Sequence, residues 1–123
     1  MSEKIRNFTD LNAWKESHKL VLEIYRITKN FPREEIFGLT SQMRRAAVSV
    51  TSNIAEGFGR YSGKEQVQFF YISFGSLTEL KNQIIISKDI KYISETEYRH
   101  IDDLITCSQK IISGLIKYKK NDQ

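Results

Sequence analysis

The chain has 123 residues, 40% of them apolar and 28% charged, which excludes a disordered polyelectrolyte and provides for one hydrophobic core rather than two. Nineteen basic residues against fifteen acidic leave a net charge of +4, a mild lean toward polyanions that alone selects no partner. One cysteine, Cys107, excludes an internal disulfide or a cysteine zinc cluster, and its apolar surroundings suit a buried, inert thiol in a reducing, cytoplasmic setting.

In chain order, Met1-Ser2-Glu3-Lys4 lacks the basic, apolar and small-residue zones of an export signal, and no later run approaches the ~20 apolar residues of a membrane span. A single domain over residues 1–123, neither exported nor embedded, is the expectation. A first helix is predicted from an N-cap at Thr9 or Asp10, with Leu11, Trp14, Val21, Ile24, Tyr25 and Thr28 at helical spacing until Phe31-Pro32 closes it. Pro32 opens a short turn through Glu34 and Glu35, and Gly38 loosens the chain before a second helix from Leu39 to about Gly57. Gly57-Phe58-Gly59-Arg60-Tyr61 marks its stop. Ser62 and Glu65 have the spacing of a capping box and start a third helix, through Val67, Phe70, Phe74, Leu77, Leu80 and Ile84 to about Lys88. Ser94 and Glu97 form a second such pair. They open a fourth helix whose apolar positions Ile101, Leu104/Ile105, Ile111/Ile112 and Leu115/Ile116 recur near a heptad, and whose last turn carries Lys117, Lys119 and Lys120. Four helices on short loops predict an all-α, antiparallel up-down-up-down bundle.

The second helix is unusual. At about 100° per residue, Leu39, Met43, Ala46, Val50 and Ile54 make an apolar stripe for the core. A polar stripe of Gln42, Arg45, Ser49, Asn53, Glu56 and Arg60 runs beside it. The remaining face, Thr40, Ser41, Arg44, Val48, Thr51, Ser52 and Ala55, has one charge. A helix without an ionic coat is buried on most sides, and one bundle covers only one side, so a second copy of the chain is expected against this helix. Small residues, Ala46, Ser49, Ala55 and Gly57 here and Gly75 on the third helix, would allow close backbone approach. Arg45 and Glu56 lie three turns apart and cannot pair with each other. Gln42, Arg45, Asn53, Glu56 and Glu79 are therefore expected in polar networks between helices, Glu79 being the candidate partner of Arg45.

At these residues the chain resembles the four-helix bundle proteins encoded by intervening sequences within bacterial large-subunit ribosomal RNA genes. The likeness runs through Phe8, Leu11, Trp14, Phe31-Pro32, Glu35, Phe37-Gly38-Leu39-Thr40 and Gln42. It is densest in Arg45-Ala46-Ala47, Ser49 and Asn53-Ile54-Ala55-Glu56-Gly57, and ends in Gly75-Ser76 and Glu79-Leu80. The chain departs from the pattern at Thr51, where relatives often have proline, and at Lys91, where a glycine commonly precedes the aromatic position. The resemblance implies an antiparallel bundle assembled as a homopentamer, similar to the accessory protein of diversity-generating retroelements, which works beside a reverse transcriptase and nucleic acid.

Catalysis has no positive signal. A di-metal bundle needs two Glu-x-x-His motifs, and this chain has one, Glu97-Tyr98-Arg99-His100, whose Glu97 is explained by capping; His18 has no glutamate three residues before it. No Ser-His-Asp order or nucleophile elbow is present, and Gly57-Phe58-Gly59 and Ser62-Gly63-Lys64 lack the context of a phosphate loop. Neither metal nor cofactor is expected. Nucleic acid has a modest signal in Arg44, Arg60, Lys64, Lys110, Lys117, Lys119 and Lys120, which a symmetric oligomer would repeat as a belt for the phosphates of RNA or DNA. Tyr61 could add stacking, whereas Phe69, Phe70, Tyr71 and Phe74 read as core. The competing reading is a protein-binding scaffold whose outer helices engage a partner such as a polymerase.

Overall fold

The computed structural model describes residues 4–121, so Met1 to Glu3 of the stretch read for an export signal lie outside it. Its helices are α1 (Asn12–Thr28), α2 (Leu39–Phe58), α3 (Gly63–Asp89) and α4 (Glu95–Asn121), with 3-10 turns at Phe8–Asp10 and Arg33–Glu35. This is the expected all-α four-helix bundle. Each helix packs on two others: α2 and α4 on both α1 and α3. Their directions alternate. Along α1, Glu16 meets Cys107 and Glu23 meets His100 of α4; along α3, Tyr71 meets Lys120 and Lys81 meets Tyr98. Partner numbers fall on one helix as they rise on the other. Among the described residues no helix is long and apolar enough to cross a membrane.

Local caps explain most of the boundaries. Ser62 Oγ accepts the Glu65 N–H at 3.1 Å to start α3. Ser94 and Glu97 make the full reciprocal box, Glu97 N–H to Ser94 Oγ at 3.0 Å and Ser94 N–H to Glu97 Oε1 at 3.2 Å. The first start differs from the expectation at Thr9 or Asp10. Asn7 caps the 3-10 turn, Asp10 closes the box back onto it, and α1 begins only at Asn12, after Leu11. The Asp10 carboxylate accepts the N–H groups of Arg6 and Asn7, which hold it below the usual carboxylate range.

The departure at Lys91 has a structural counterpart. Lys91 has φ 68°, the left-handed region that favours glycine. There Tyr92 N–H bonds to Ser87 O at 2.8 Å and Lys91 N–H to Lys88 O at 3.0 Å, the paired bonds of a Schellman helix stop. A lysine carries out a turn for which glycine is the unstrained residue.

The core is built by the predicted stripes. Met43, Ala46, Val50 and Ile54 of α2 are buried with Phe70, Leu77, Leu80 and Ile84 of α3 and Ile101, Ile105, Ile112 and Ile116 of α4. The inward face of α2 is wider than the single stripe, since Thr40, Ala47 and Gly57 are buried too, while Leu39 is only half-buried. At Gly57, α2 and α3 approach so closely that a Cβ would stand 2.7 Å from Phe70 Cε1. Its small size thus serves packing within the chain. Gly75 faces open space.

Candidate nucleic-acid interface

The alternating helix directions bring the C-terminus of α2, the N-terminus of α3 and the C-terminus of α4 to one end of the bundle. Arg60, Lys64, Lys117, Lys119 and Lys120 gather there. Arg60 forms an ion pair with Glu56 at 3.2 Å, and its guanidinium lies 4.7 Å from the Phe69 ring centroid. Lys120 Nζ donates to the Tyr71 hydroxyl at 3.0 Å, and Lys119 lies over the ring of its neighbour Tyr118 at 5.8 Å. Lys64 and Lys117 are exposed and, among the described residues, engage in no ion pair. Tyr61, in the turn beside them, is fully exposed. Lys110 extends the group along α4, about two turns before Lys117 on the same face. Arg44 stands apart, in the half of α2 nearer the other end. Its Nε donates to Thr28 Oγ1 at 2.9 Å and its guanidinium stacks 4.7 Å from the Tyr25 ring, so α1 already holds it.

The polar stripe of α2 divides. Asn53 Nδ2 donates to the Ser49 carbonyl at 2.8 Å and to Ser49 Oγ at 3.1 Å, and Ser76 Oγ of α3 donates to Ser49 Oγ at 2.9 Å. This chain of bonds joins two helices. Arg45, Gln42 and Glu79 border one cavity of about 230 Å³. Arg45 and Glu79, expected to pair, form no ion pair among the described residues, and both are exposed. Glu56, expected to reach another helix, pairs instead with Arg60, four positions along its own.

Beside this stripe α2 presents Ser41, Val48 and Ser52 as a ridge of small side chains. A cavity of about 600 Å³, lined by Tyr25, Ile36, Arg44, Val48 and Ser52 among others, adjoins one of about 660 Å³ bordered by Phe8, Ser52, Ala55 and Glu56. Ahead of the helix, Phe37 is 94% exposed. The bland face is therefore covered on one flank by α1 and uncovered on the other.

Reactive groups do not converge. His18 stacks on Trp14 at 4.6 Å, His100 lies 3.9 Å from Glu23, and no three of His, Cys, Asp and Glu make a ligand set among the described residues. Cys107 is half-buried rather than buried, its Sγ 4.0 Å from Glu16 Oε2. Reading the sequence misplaced Tyr71, which is 50% exposed while Phe70 is 1% exposed. Adjacent helical residues point about 100° apart, so two neighbouring aromatics cannot both face the core. That angle was the available signal.

The chain is similar in structure to a protein of unknown function from the S23 ribosomal protein family of Bacteroides thetaiotaomicron, with 21% sequence identity and a TM-score of 0.79 over 85% of this chain and 95% of that one. At that identity the likeness speaks for the fold. No curated protein matches. The family described as 23S rRNA-intervening sequence protein matches residues 9–114, nearly the whole bundle, and the chain belongs to that family.

Proposed function

We propose that the protein is a non-enzymatic, homo-oligomeric bundle of the cytoplasm that binds RNA through a basic surface its copies build together. The observation that carries this is the gathering of Arg60, Lys64, Lys117, Lys119 and Lys120 at one end, where Lys64 and Lys117 have no ion-pair partner among the described residues. Cations without a structural task are available to phosphates, and symmetry multiplies them. Assembly is supported by the outer ridge of α2, whose small side chains beside two adjoining hollows suit a helix of another copy; the family likeness makes five the number of copies to test first.

The test is the salt dependence of single-stranded RNA affinity. Each phosphate contact lowers log affinity by ~0.7 per log unit of salt, so a steep slope is expected and a flat one overturns the RNA reading. Equilibrium sedimentation at micromolar concentration tests assembly separately, where a monomer alone would contradict it. Phe37, at 94% exposure, favours a second reading, a scaffold for a polymerase or reverse transcriptase. A partner protein retained in a pull-down after nuclease treatment supports the scaffold, and one lost with the RNA supports the first reading.

A further inference from the structure

We infer that the groove between α3 and α4 at the basic end seats one unpaired nucleotide, with Tyr71 as the surface on which its base stacks and Lys117 and Lys120 as the contacts to its phosphate. This rests on the RNA-binding reading and adds to it the state of the strand: single rather than paired.

The groove measures about 370 Å³ and is lined by Tyr71, Phe74, Ser113, Ile116, Lys117 and Lys120. Its walls combine two aromatic rings with two cations, the chemistry that single-strand binders use. Tyr71 is half-exposed, and its hydroxyl accepts a hydrogen bond from Lys120 Nζ, which also lies 5.4 Å from the ring centroid. The ring is thereby held in place before any ligand arrives, which reduces the entropy lost on binding. Lys117 lies one turn back from Lys120 on the same helix and is uncommitted among the described residues. Ser113 adds a hydroxyl one further turn along.

The strand must be single because an intact duplex keeps its base faces stacked inside, whereas unpaired bases can be laid against an aromatic ring. With one stacking wall and few hydrogen-bonding groups, the seat favours single-strandedness over sequence. An acidic peptide would satisfy the lysines but leave the ring without a planar partner.

The experiment uses the full chain with a short uridine-rich single-stranded RNA, a duplex of the same length and a polyglutamate peptide. The single strand is expected to bind in preference to both. Tyr71→Ala weakens it roughly tenfold, Tyr71→Phe retains most of the affinity, and Lys117→Ala lowers the salt slope by ~0.7. In a Tyr71→Trp variant, single-strand binding quenches the new indole, with Trp14 as a constant background; this variant decides the matter if Tyr71→Ala folds poorly. Salt-dependent RNA binding that is indifferent to Tyr71→Ala, a preference for the duplex or the peptide, or an unquenched indole in the Tyr71→Trp variant overturns the seat while sparing the RNA reading. Absence of salt-dependent RNA binding by the unaltered chain overturns both.

Discussion

At the end of the bundle where α1 turns into α2 and α3 into α4, polar side chains are spent on the fold. Glu35 accepts the Leu39 N–H at 3.1 Å, which caps α2, and the Tyr92 hydroxyl at 2.8 Å, which ties the α3–α4 turn to the α1–α2 turn. Gly38 makes room for this clasp, since a Cβ there would lie 2.7 Å from Glu35 Oε1. The Schellman stop at Lys91 and the Ser94–Glu97 box complete it. The opposite end is held by apolar contact, Gly57 against Phe70 and Phe69, by the Asn7–Asp10 box ahead of α1, and by a single-armed cap at Ser62. Lys120 adds a hydrogen bond to Tyr71 between α4 and α3, whereas Lys64 and Lys117 make no ion pair among the described residues. The first end is thus tied turn to turn by hydrogen bonds, whereas the second combines close packing with local caps and exposes those two lysines.

Breaking the packed end should have the largest effect. Gly57→Val puts a branched side chain where even a Cβ would overlap the buried Phe70 ring. Overpacking of that kind costs about 3 kcal/mol, and urea denaturation should show it as a lower midpoint with an unchanged slope. Breaking the clasp comes next. Glu35→Ala removes a charged acceptor from two donors, worth about 2 kcal/mol, and hydrogen exchange should rise first at Leu39 and in the residue 90–94 turn rather than at residues 59–62.

What was legible in the sequence follows the range of the interaction. The box at Ser94 could be read because a cap joins residues three apart, and the core stripes because helical periodicity is local; at Ser62 only one arm of the expected box forms, the Glu65 N–H to Ser62 Oγ. The clasp was not, because Glu35 and Tyr92 lie far apart in the chain and nothing in either segment names the other. Arg44 read as a free cation on a bland face for the same reason: its partners, Thr28 and Tyr25, are on another helix. The cap expected at Thr9 or Asp10 missed because both residues lie inside a 3-10 turn, which Asn7 caps. For the candidate interface, antiparallel order was enough to bring Arg60 and Lys64 to the end of α4. The groove was not, because it depends on how α3 is rotated about its own axis, which sets Tyr71 outward.

Two changes sharpen the clasp without breaking it. Lys91→Gly relieves a left-handed lysine, and the melting temperature should rise by about 4 °C, corresponding to about 1 kcal/mol. Tyr92→Phe keeps the ring against Phe31 and deletes only the bond to Glu35. That bond, with burial and the negative charge adding to it, holds the Tyr92 phenol above its ordinary 10.0. A raised folded value stabilises the protonated native form fully below the unfolded value and loses that stabilisation as pH rises through the folded one. The unaltered protein should therefore out-melt Tyr92→Phe by a constant margin up to about pH 10, and the margin should shrink above it. A margin independent of pH into strong alkali would contradict the Glu35 bond as its source.

The smallest expected effect is the most informative about the other end. If Lys64 and Lys117 are spare, Lys64→Ala and Lys117→Ala should each leave stability within about 0.5 kcal/mol, the range of surface substitutions that break no specific contact. Removing two of several like charges from one end also relieves some mutual repulsion, so the double variant should melt no lower than either single one. The same variants should lose RNA affinity at low salt and converge on the unaltered protein at high salt, where phosphate contacts are screened. Loss of affinity together with loss of stability would mean that these lysines hold the bundle together, and the separation between a structural end and a binding end would fail. Loss of affinity alone is the signature of side chains that the fold positions but does not use.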